Sequence, residues 1–205
     1  MKIPISHTHT MSMTNVIKEY SNIICMINID DFKDELDALD KLNWDDDRMK
    51  KNRFNPDKLM KISDLEDTKK YSLGDIQIGL SNRDVYKLGF FAEILTSITD
   101  KLRKITGKVV SPTGVFRYPP GSICNWHTNS NSPGKRVYFV WVEDSDKSFF
   151  RYFDNTTSNV VTKYDKKGWH LNDFDISDDD AQLFWHCACS ENTFRKSLGF
   201  SITDV

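Results

Sequence analysis

Eight short segments between residues 113 and 202 decide the fold of this 205-residue chain. Apolar and polar residues alternate along them with a period of two, and turn residues separate them, which is typical of β-strands. Helices have no room between strands spaced so closely, so the segments predict a sandwich or jelly roll. The segments are TGVFRY (113–118), SICNWHTN (122–129), KRVYFVWVED (135–144), KSFFRYFD (147–154), NVVTKYD (159–165), GWHLNDFDI (168–176), AQLFWHCA (181–188) and RKSLGFSI (195–202).

A jelly roll of two sheets encloses a tapered cavity, and alternate residues of each strand face into it. His127 and Asn129 lie two positions apart on the second segment, so we expect both to face inward and to share one metal ion. His186 lies on the seventh segment, and we expect it to reach the same ion from the opposing sheet. Two imidazoles, an oxygen ligand and open coordination positions suit non-haem Fe(II).

A second polar pair opens the eighth segment. Arg195 and Ser197 are again two positions apart and should share a face. A guanidinium beside a hydroxyl is a suitable receptor for a carboxylate, because Arg stays charged in a cavity and can bind both oxygens. This pair therefore predicts a site for a dicarboxylate that also chelates the metal.

With these residues in place, positions 112–203 resemble the double-stranded β-helix core of the Fe(II)/2-oxoglutarate-dependent oxygenases. That family has His-x-Asp/Glu, a distal His and then an Arg, often as Arg-x-Ser. The stretch FRYPPGS also resembles a segment whose tyrosine, here Tyr118, contacts 2-oxoglutarate in some members. The matching residues in this chain are His127-x-Asn129, His186 and Arg195-x-Ser197.

The resemblance implies an enzyme that uses Fe(II), 2-oxoglutarate and O2. Its activity would couple C–H oxidation of a substrate to decarboxylation of 2-oxoglutarate, giving succinate and CO2. The resemblance assigns His127, Asn129 and His186 to the metal and to catalysis. It assigns Arg195, Ser197 and Tyr118 to 2-oxoglutarate.

Asn129 departs from the family pattern, which has a carboxylate at this position. A neutral amide oxygen is a poorer ligand for a hard cation, so the sequence predicts weaker iron binding. Three readings follow. Asn129 is a weak ligand in a hydroxylase, or it leaves a coordination position to chloride in a halogenase, or it marks a jelly-roll module that binds a ligand without turnover.

The first half of the chain has a different pattern. The apolar run from Ile23 to Ile29 predicts a strand, and DFKDELDALDKLN (31–43) predicts a helix behind an Asp cap. An apolar stripe from Asp84 to Thr106 predicts a longer helix that ends at Gly107 and braces the sheet. We therefore expect one α+β domain, with a strand, bracing helices and a possible active-site cap in residues 1–110 and a double-stranded β-helix core in residues 111–205.

Composition limits the partners. Lys and Arg number 28 and Asp and Glu 30, so the net charge of −2 disfavours a broad contact with nucleic acid. A small molecule or a protein side chain is favoured as substrate, with no membrane and no obligate partner. Lys-rich, Asn- and Ile-rich composition is associated with AT-rich genomes, so the expected cytoplasmic location would be the host cytoplasm for a viral source.

The remaining histidines and the cysteines have plainer interpretations. His170 is expected at the surface or the cavity rim, and His7 and His9 on a mobile chain end. Four cysteines are too few for a disulfide framework in a chain of this length, so they predict buried, reduced thiols.

Overall fold

The computed structural model describes residues 25–52, 61–70 and 81–204, and antiparallel strands dominate this part of the chain. His7 and His9 lie outside these residues. The strands are β1 (Lys50–Asn52), β2 (Asp84–Tyr86), β3 (Val109–Tyr118), β4 (Ser122–His127), β5 (Gly134–Val142), β6 (Ser148–Asp154), β7 (Asn159–Tyr164), β8 (Gly168–Ile176), β9 (His186–Ser190) and β10 (Arg195–Thr203).

The strands form two sheets. One has six strands in the order β1-β2-β3-β10-β5-β8, and the other has four in the order β4-β9-β6-β7. Each of the eight predicted segments contributes one of the strands β3 to β10, and this arrangement is compatible with a jelly-roll-like fold. The seventh segment begins its strand only at His186, because Asp180–Gln182 form a 3₁₀ turn.

Three helices complete the described structure: α1 (Lys33–Asp40), α2 (Leu65–Thr68) and α3 (Ala92–Thr106). As the sequence predicts, α3 ends at Gly107, which takes a left-handed φ of 66° that a residue without Cβ adopts at little cost. In the described residues, no helix has the length and apolar character needed to cross a membrane.

Both predicted bracing helices cover the outer face of the six-stranded sheet. Leu36 of α1 and Leu95 of α3 belong to one buried cluster with Leu198 and Phe200 of β10. Phe32, just before α1, packs edge-on against Phe139 of β5 at a centroid distance of 4.8 Å. Alternate residues of β10 therefore point to the helices, and the residues between them face the other sheet.

Three local predictions from the first half of the chain are wrong. The described part of the predicted strand, Cys25–Ile29, is a turn that leads into a 3₁₀ turn at Ile29–Phe32. Asn28, rather than an Asp, caps this turn by accepting a hydrogen bond from the amide of Asp30.

Asp84–Tyr86 forms the strand β2 instead of the first turn of the long helix. The cause lies outside the segment: Asp84 is buried beside Lys50 of β1 at 3.7 Å and Arg117 of β3 at 3.9 Å. These ion pairs join segments distant in sequence, which local periodicity does not report.

Among the described residues, the four cysteines form no disulfide with one another. Cys124, Cys187 and Cys189 are buried, as predicted. Cys25 is exposed, because it lies in the turn that replaces the predicted strand.

Candidate functional site

A cavity of about 500 Å³ lies between the two sheets. Its walls come from both sheets, so side chains from strands distant in sequence meet inside it. All six residues that the sequence analysis singled out line this cavity: Tyr118, His127, Asn129, His186, Arg195 and Ser197. The structure thus brings the set together, while the roles of its members remain predictions.

The two histidines of the set are direct neighbours. His127 ends β4 and His186 begins β9, and the two residues are register partners in the four-stranded sheet. Their ring centroids are 4.1 Å apart. The expectation that His186 comes from the opposing sheet is wrong, because the chain returns from β8 to pair β9 with β4.

Both imidazoles are oriented in the same way. Nδ1 of His127 lies 2.7 Å from the carbonyl oxygen of Asn125, and Nδ1 of His186 lies 2.8 Å from that of Phe184. A carbonyl oxygen only accepts, so each Nδ1 carries the proton and donates it. The lone pair of each neutral ring is therefore on Nε2, the usual arrangement of a metal-binding histidine.

Asn129 contacts this pair from beyond the end of β4, so the predicted alternation along a strand does not apply to it. β4 ends at His127, and Asn129 lies beyond it with a φ of 55°, in the left-handed region that Asn tolerates better than most residues. Its Nδ2 lies 3.2 Å from Nε2 of His186. Since that Nε2 carries a lone pair, the Asn129 amide donates this hydrogen bond.

These residues suit a divalent cation as two strong ligands and one weak ligand. In the neutral ring, Nε2 of each histidine is an unprotonated nitrogen, and the Asn129 amide offers an oxygen. Among the residues that the structure describes, no cluster of three His, Cys, Asp or Glu side chains forms a metal site. A metal here would depend on the two histidines, since the expected carboxylate is missing.

Burial and neighbouring charges shift the pKa values of the two rings in opposite directions. Burial and the nearby His127 hold the pKa of His186 well below its usual value of 6.5. Burial also disfavours charge on His127, but Cys124 outweighs it and raises the pKa of that ring. Sγ of Cys124 lies 3.8 Å from Nδ1 of His127.

Cys124 adds a polar thiol to the cavity beside His127. Burial opposes ionisation of its thiol, but Arg83 and His127 lower its pKa to about 6. From the sequence, Cys124 is predicted only to be a buried thiol, because a cysteine inside an apolar strand is usually one.

Arg195 enters the cavity as half of a buried ion pair. Its Nε donates to Oδ2 of Asp165 at 3.0 Å, and the two side chains are 4% and 2% exposed. Asp165 also accepts from Ser148 Oγ at 2.7 Å and contacts Nε2 of His170 at 3.1 Å. His170 is thus part of the network behind Arg195. Its side chain is 24% exposed, so it meets the predicted surface position only in part.

Tyr118 and Ser197 complete the predicted group. The Tyr118 hydroxyl accepts a hydrogen bond from Nη1 of Arg83 at 2.8 Å, and the guanidinium of Arg195 lies 5.0 Å from its ring centroid. Burial raises the pKa of Tyr118 and keeps the phenol protonated near neutral pH. Ser197 follows Arg195 on the inward face of β10.

Sequence reasoning missed three side chains of this site. Asp165 was only the last residue of a strand segment, and Arg83 was one basic residue in a polar stretch. Arg136 belongs to β5 and also lines the cavity. Asp165 and Arg83 gain their importance from Arg195 and Tyr118, partners far away in the sequence that no local signal indicates.

Comparison with known proteins gives limited guidance. No protein-family model matches the chain, and no curated protein matches it. Among solved structures, the chain is similar to a prolyl-4-hydroxylase of Pseudomonas putida, with a TM-score of 0.44 and 13% sequence identity. The match covers 60% of this chain and 71% of that chain, and similarity at this level assigns no activity.

Proposed function

We propose that the protein is an Fe(II)/2-oxoglutarate-dependent oxygenase with a double-stranded β-helix core, and most simply a hydroxylase. The observation that carries the proposal is the paired orientation of His127 and His186. Both rings donate Nδ1–H to a backbone carbonyl and keep a lone pair on Nε2 at the wall of one cavity.

In this proposal His127 and His186 hold the iron, and Asn129 adds an amide oxygen. Bound iron, together with 2-oxoglutarate and O2, would supply the oxidising power for C–H oxidation. The low pKa of His186 keeps its Nε2 unprotonated near neutral pH and thus available to a cation. The backbone carbonyls of Asn125 and Phe184 fix the two rings and preserve this orientation.

Arg195, Ser197 and Tyr118 would hold the dicarboxylate. Of the guanidinium nitrogens of Arg195, only Nε donates to Asp165. This bond orients the guanidinium and offsets part of its charge. The neighbouring Tyr118 and Ser197 hydroxyls add donors on the same wall of the cavity. A carboxylate there would replace water with a charged, hydrogen-bonded partner.

Three aromatic rings also line the cavity beside the histidine pair. Phe174 lies 5.0 Å from the ring centroid of His186, and Phe150 stacks on Phe174 at 5.1 Å. Tyr138 stacks on Phe174 at 5.5 Å. These rings exclude water from one side of the histidine pair and leave an apolar surface for the substrate.

One observation favours a second candidate, a jelly-roll module that binds a ligand without turnover. The hydrogen bond from Asn129 to Nε2 of His186 uses the lone pair that a metal ion needs. Coordination by His186 would have to break this bond, so the bond competes with metal binding.

Anaerobic titration with Fe(II) and 2-oxoglutarate tests the proposal. The chelate of iron and a 2-oxo acid has a weak visible charge-transfer band, and we expect the parent protein to develop it. His127→Ala and His186→Ala should lose the band, whereas Asp146→Asn, which changes an exposed residue outside the cavity lining, should retain it. A parent protein without the band, or a band unaffected by loss of either cavity histidine, would refute the proposal.

A further inference from the structure

In the part of the chain that the structure describes, one of the three arginines that line the cavity has a side-chain donor without a partner. This residue, Arg83, lies just before β2. Its guanidinium stacks over the ring of Phe116 at 4.1 Å, and Nη1 donates to the Tyr118 hydroxyl at 2.8 Å. Nε is buried and finds no hydrogen-bond partner in the described structure.

The other two arginines of the cavity are satisfied by the protein. Arg195 has the buried carboxylate of Asp165. Arg136 donates through Nη1 and Nη2 to the backbone carbonyls of Lys135 and Ser132, and through Nη2 also to the Ser132 hydroxyl. Within the described residues, the groups that act on the charge of Arg83 are Cys124 and two tyrosines rather than a carboxylate, and no Asp or Glu lines the cavity.

The thiol of Cys124 is the nearest group that can balance the charge of Arg83. The charges of Arg83 and His127 both act on this thiol, so the two residues share it. The buried Nε–H of Arg83 still lacks a hydrogen-bond partner among the residues described, and an unpaired buried donor is costly. Such a group is typical of a binding site whose partner arrives with the ligand.

The chemistry of this group favours a carboxylate. The Nε edge of a guanidinium presents in-plane donors that match the two oxygens of a carboxylate. Phe116 covers one face of the plane, so a partner would have to meet the guanidinium at its edge. No lysine lines the cavity within the described residues, and the donors that would surround a tetrahedral phosphate are therefore lacking.

We infer that Arg83 is a second anion-binding residue of the cavity and receives a carboxylate of the molecule bound there. The carboxylate belongs either to an acidic substrate or to the dicarboxylate cosubstrate, and the chemistry is the same in both cases. The assignment to substrate or cosubstrate rests on the proposed function, whereas the anion site itself does not.

Calorimetric titration of the metal-free protein with benzoate tests the anion site. The parent should bind benzoate but not benzamide, which has nearly the same shape and no charge. Arg83→Gln should weaken benzoate binding at least about tenfold, because truncating one partner of a buried charge pair removes most of its contribution. Arg83→Lys keeps the charge but loses the planar fork, so its affinity should lie in between.

Arg136→Gln is the matched control, since it removes a cavity arginine that already has protein partners. Its benzoate affinity should stay within about threefold of the parent value, an effect of long-range charge alone. Thermal unfolding of each variant confirms that it is folded before the titration. Equal affinity of parent and folded Arg83→Gln or Arg83→Lys, or no benzoate binding by the parent, would overturn the inference.

Repeating the titration with Fe(II) and 2-oxoglutarate under anaerobic conditions identifies the source of the carboxylate. Benzoate that still binds beside 2-oxoglutarate places an acidic substrate at Arg83. Benzoate that 2-oxoglutarate displaces competitively places the cosubstrate there. The first titration contains neither iron nor 2-oxoglutarate, so its failure is distinguishable from failure of the proposed function.

Discussion

Replacing Asp165 by Asn removes one charge from the network behind Arg195 while nearly preserving its shape. The carboxylate is 2% exposed and contacts Arg195, Ser148 and His170 at 3.0, 2.7 and 3.1 Å. Its loss leaves the buried guanidinium of Arg195 without a counter-charge. Breaking a buried pair in this way lowers the free energy of unfolding by about 3–5 kcal/mol. Because the Asn amide oxygen can still accept a hydrogen bond, we expect a loss at the lower end, about 3 kcal/mol.

Urea denaturation at neutral pH, followed by tryptophan fluorescence, measures this loss. Asp146→Asn is the control, because Asp146 pairs with Lys166 at 2.7 Å where the two side chains are 55% and 73% exposed. An exposed pair contributes at most about 1 kcal/mol. If Asp165→Asn costs no more than this control, the account of Arg195 as a residue held by a buried carboxylate is wrong.

The same variant makes a prediction about pH. Burial opposes ionisation of Asp165, but Arg195, His170 and Ser148 hold its pKa well below the usual value of 3.8. A lowered pKa contributes stability above the unfolded-state value, and this contribution is lost as the pH falls toward the folded-state value. The difference in unfolding free energy between parent and Asp165→Asn should therefore shrink below about pH 4.

Three further predictions concern the ligands themselves. His127→Ala or His186→Ala should abolish Fe(II) binding in a calorimetric titration while circular dichroism shows the fold intact; unchanged binding would remove these residues from the metal site. Arg195→Lys should raise the 2-oxoglutarate concentration for half-saturation at least about tenfold without altering iron affinity, and an unchanged value would place the cosubstrate elsewhere. Asn129→Asp should tighten Fe(II) binding about tenfold or more, because it adds an anionic oxygen and removes the amide donor to His186, and weaker binding would contradict the weak-ligand interpretation.

The strands were predictable because their signal is local. Alternation in a segment such as RKSLGFSI reports which residues face the core, and Leu198, Phe200 and Ile202 at every second position of β10 are buried. Which strands pair with each other was harder to predict from the sequence. His127 and His186 are register partners in one sheet, although the sequence analysis placed them on opposing sheets. Which strands become neighbours depends on contacts across the whole fold, and periodicity within a segment does not contain this information.

The candidate site divides in the same way. His127, Asn129, His186 and Arg195 were found because their spacing and residue types form a recognisable pattern. Asp165 was not found, since its meaning depends on a pairing with Arg195 that crosses from the end of one strand to the start of another. Arg83 was missed for a related reason: its isolation in the cavity is a property of the folded neighbourhood.

Succinate formation is the most direct test of the central claim that this cavity is an oxygenase active site. The assay supplies Fe(II), 2-oxoglutarate and air to the parent, to His186→Ala and to the control Asp146→Asn, and measures succinate by mass spectrometry. We expect the parent and Asp146→Asn to form succinate in a reaction that requires both iron and O2, and His186→Ala to form none. A parent protein that releases no succinate, or releases it equally without iron or without His186, would contradict the account.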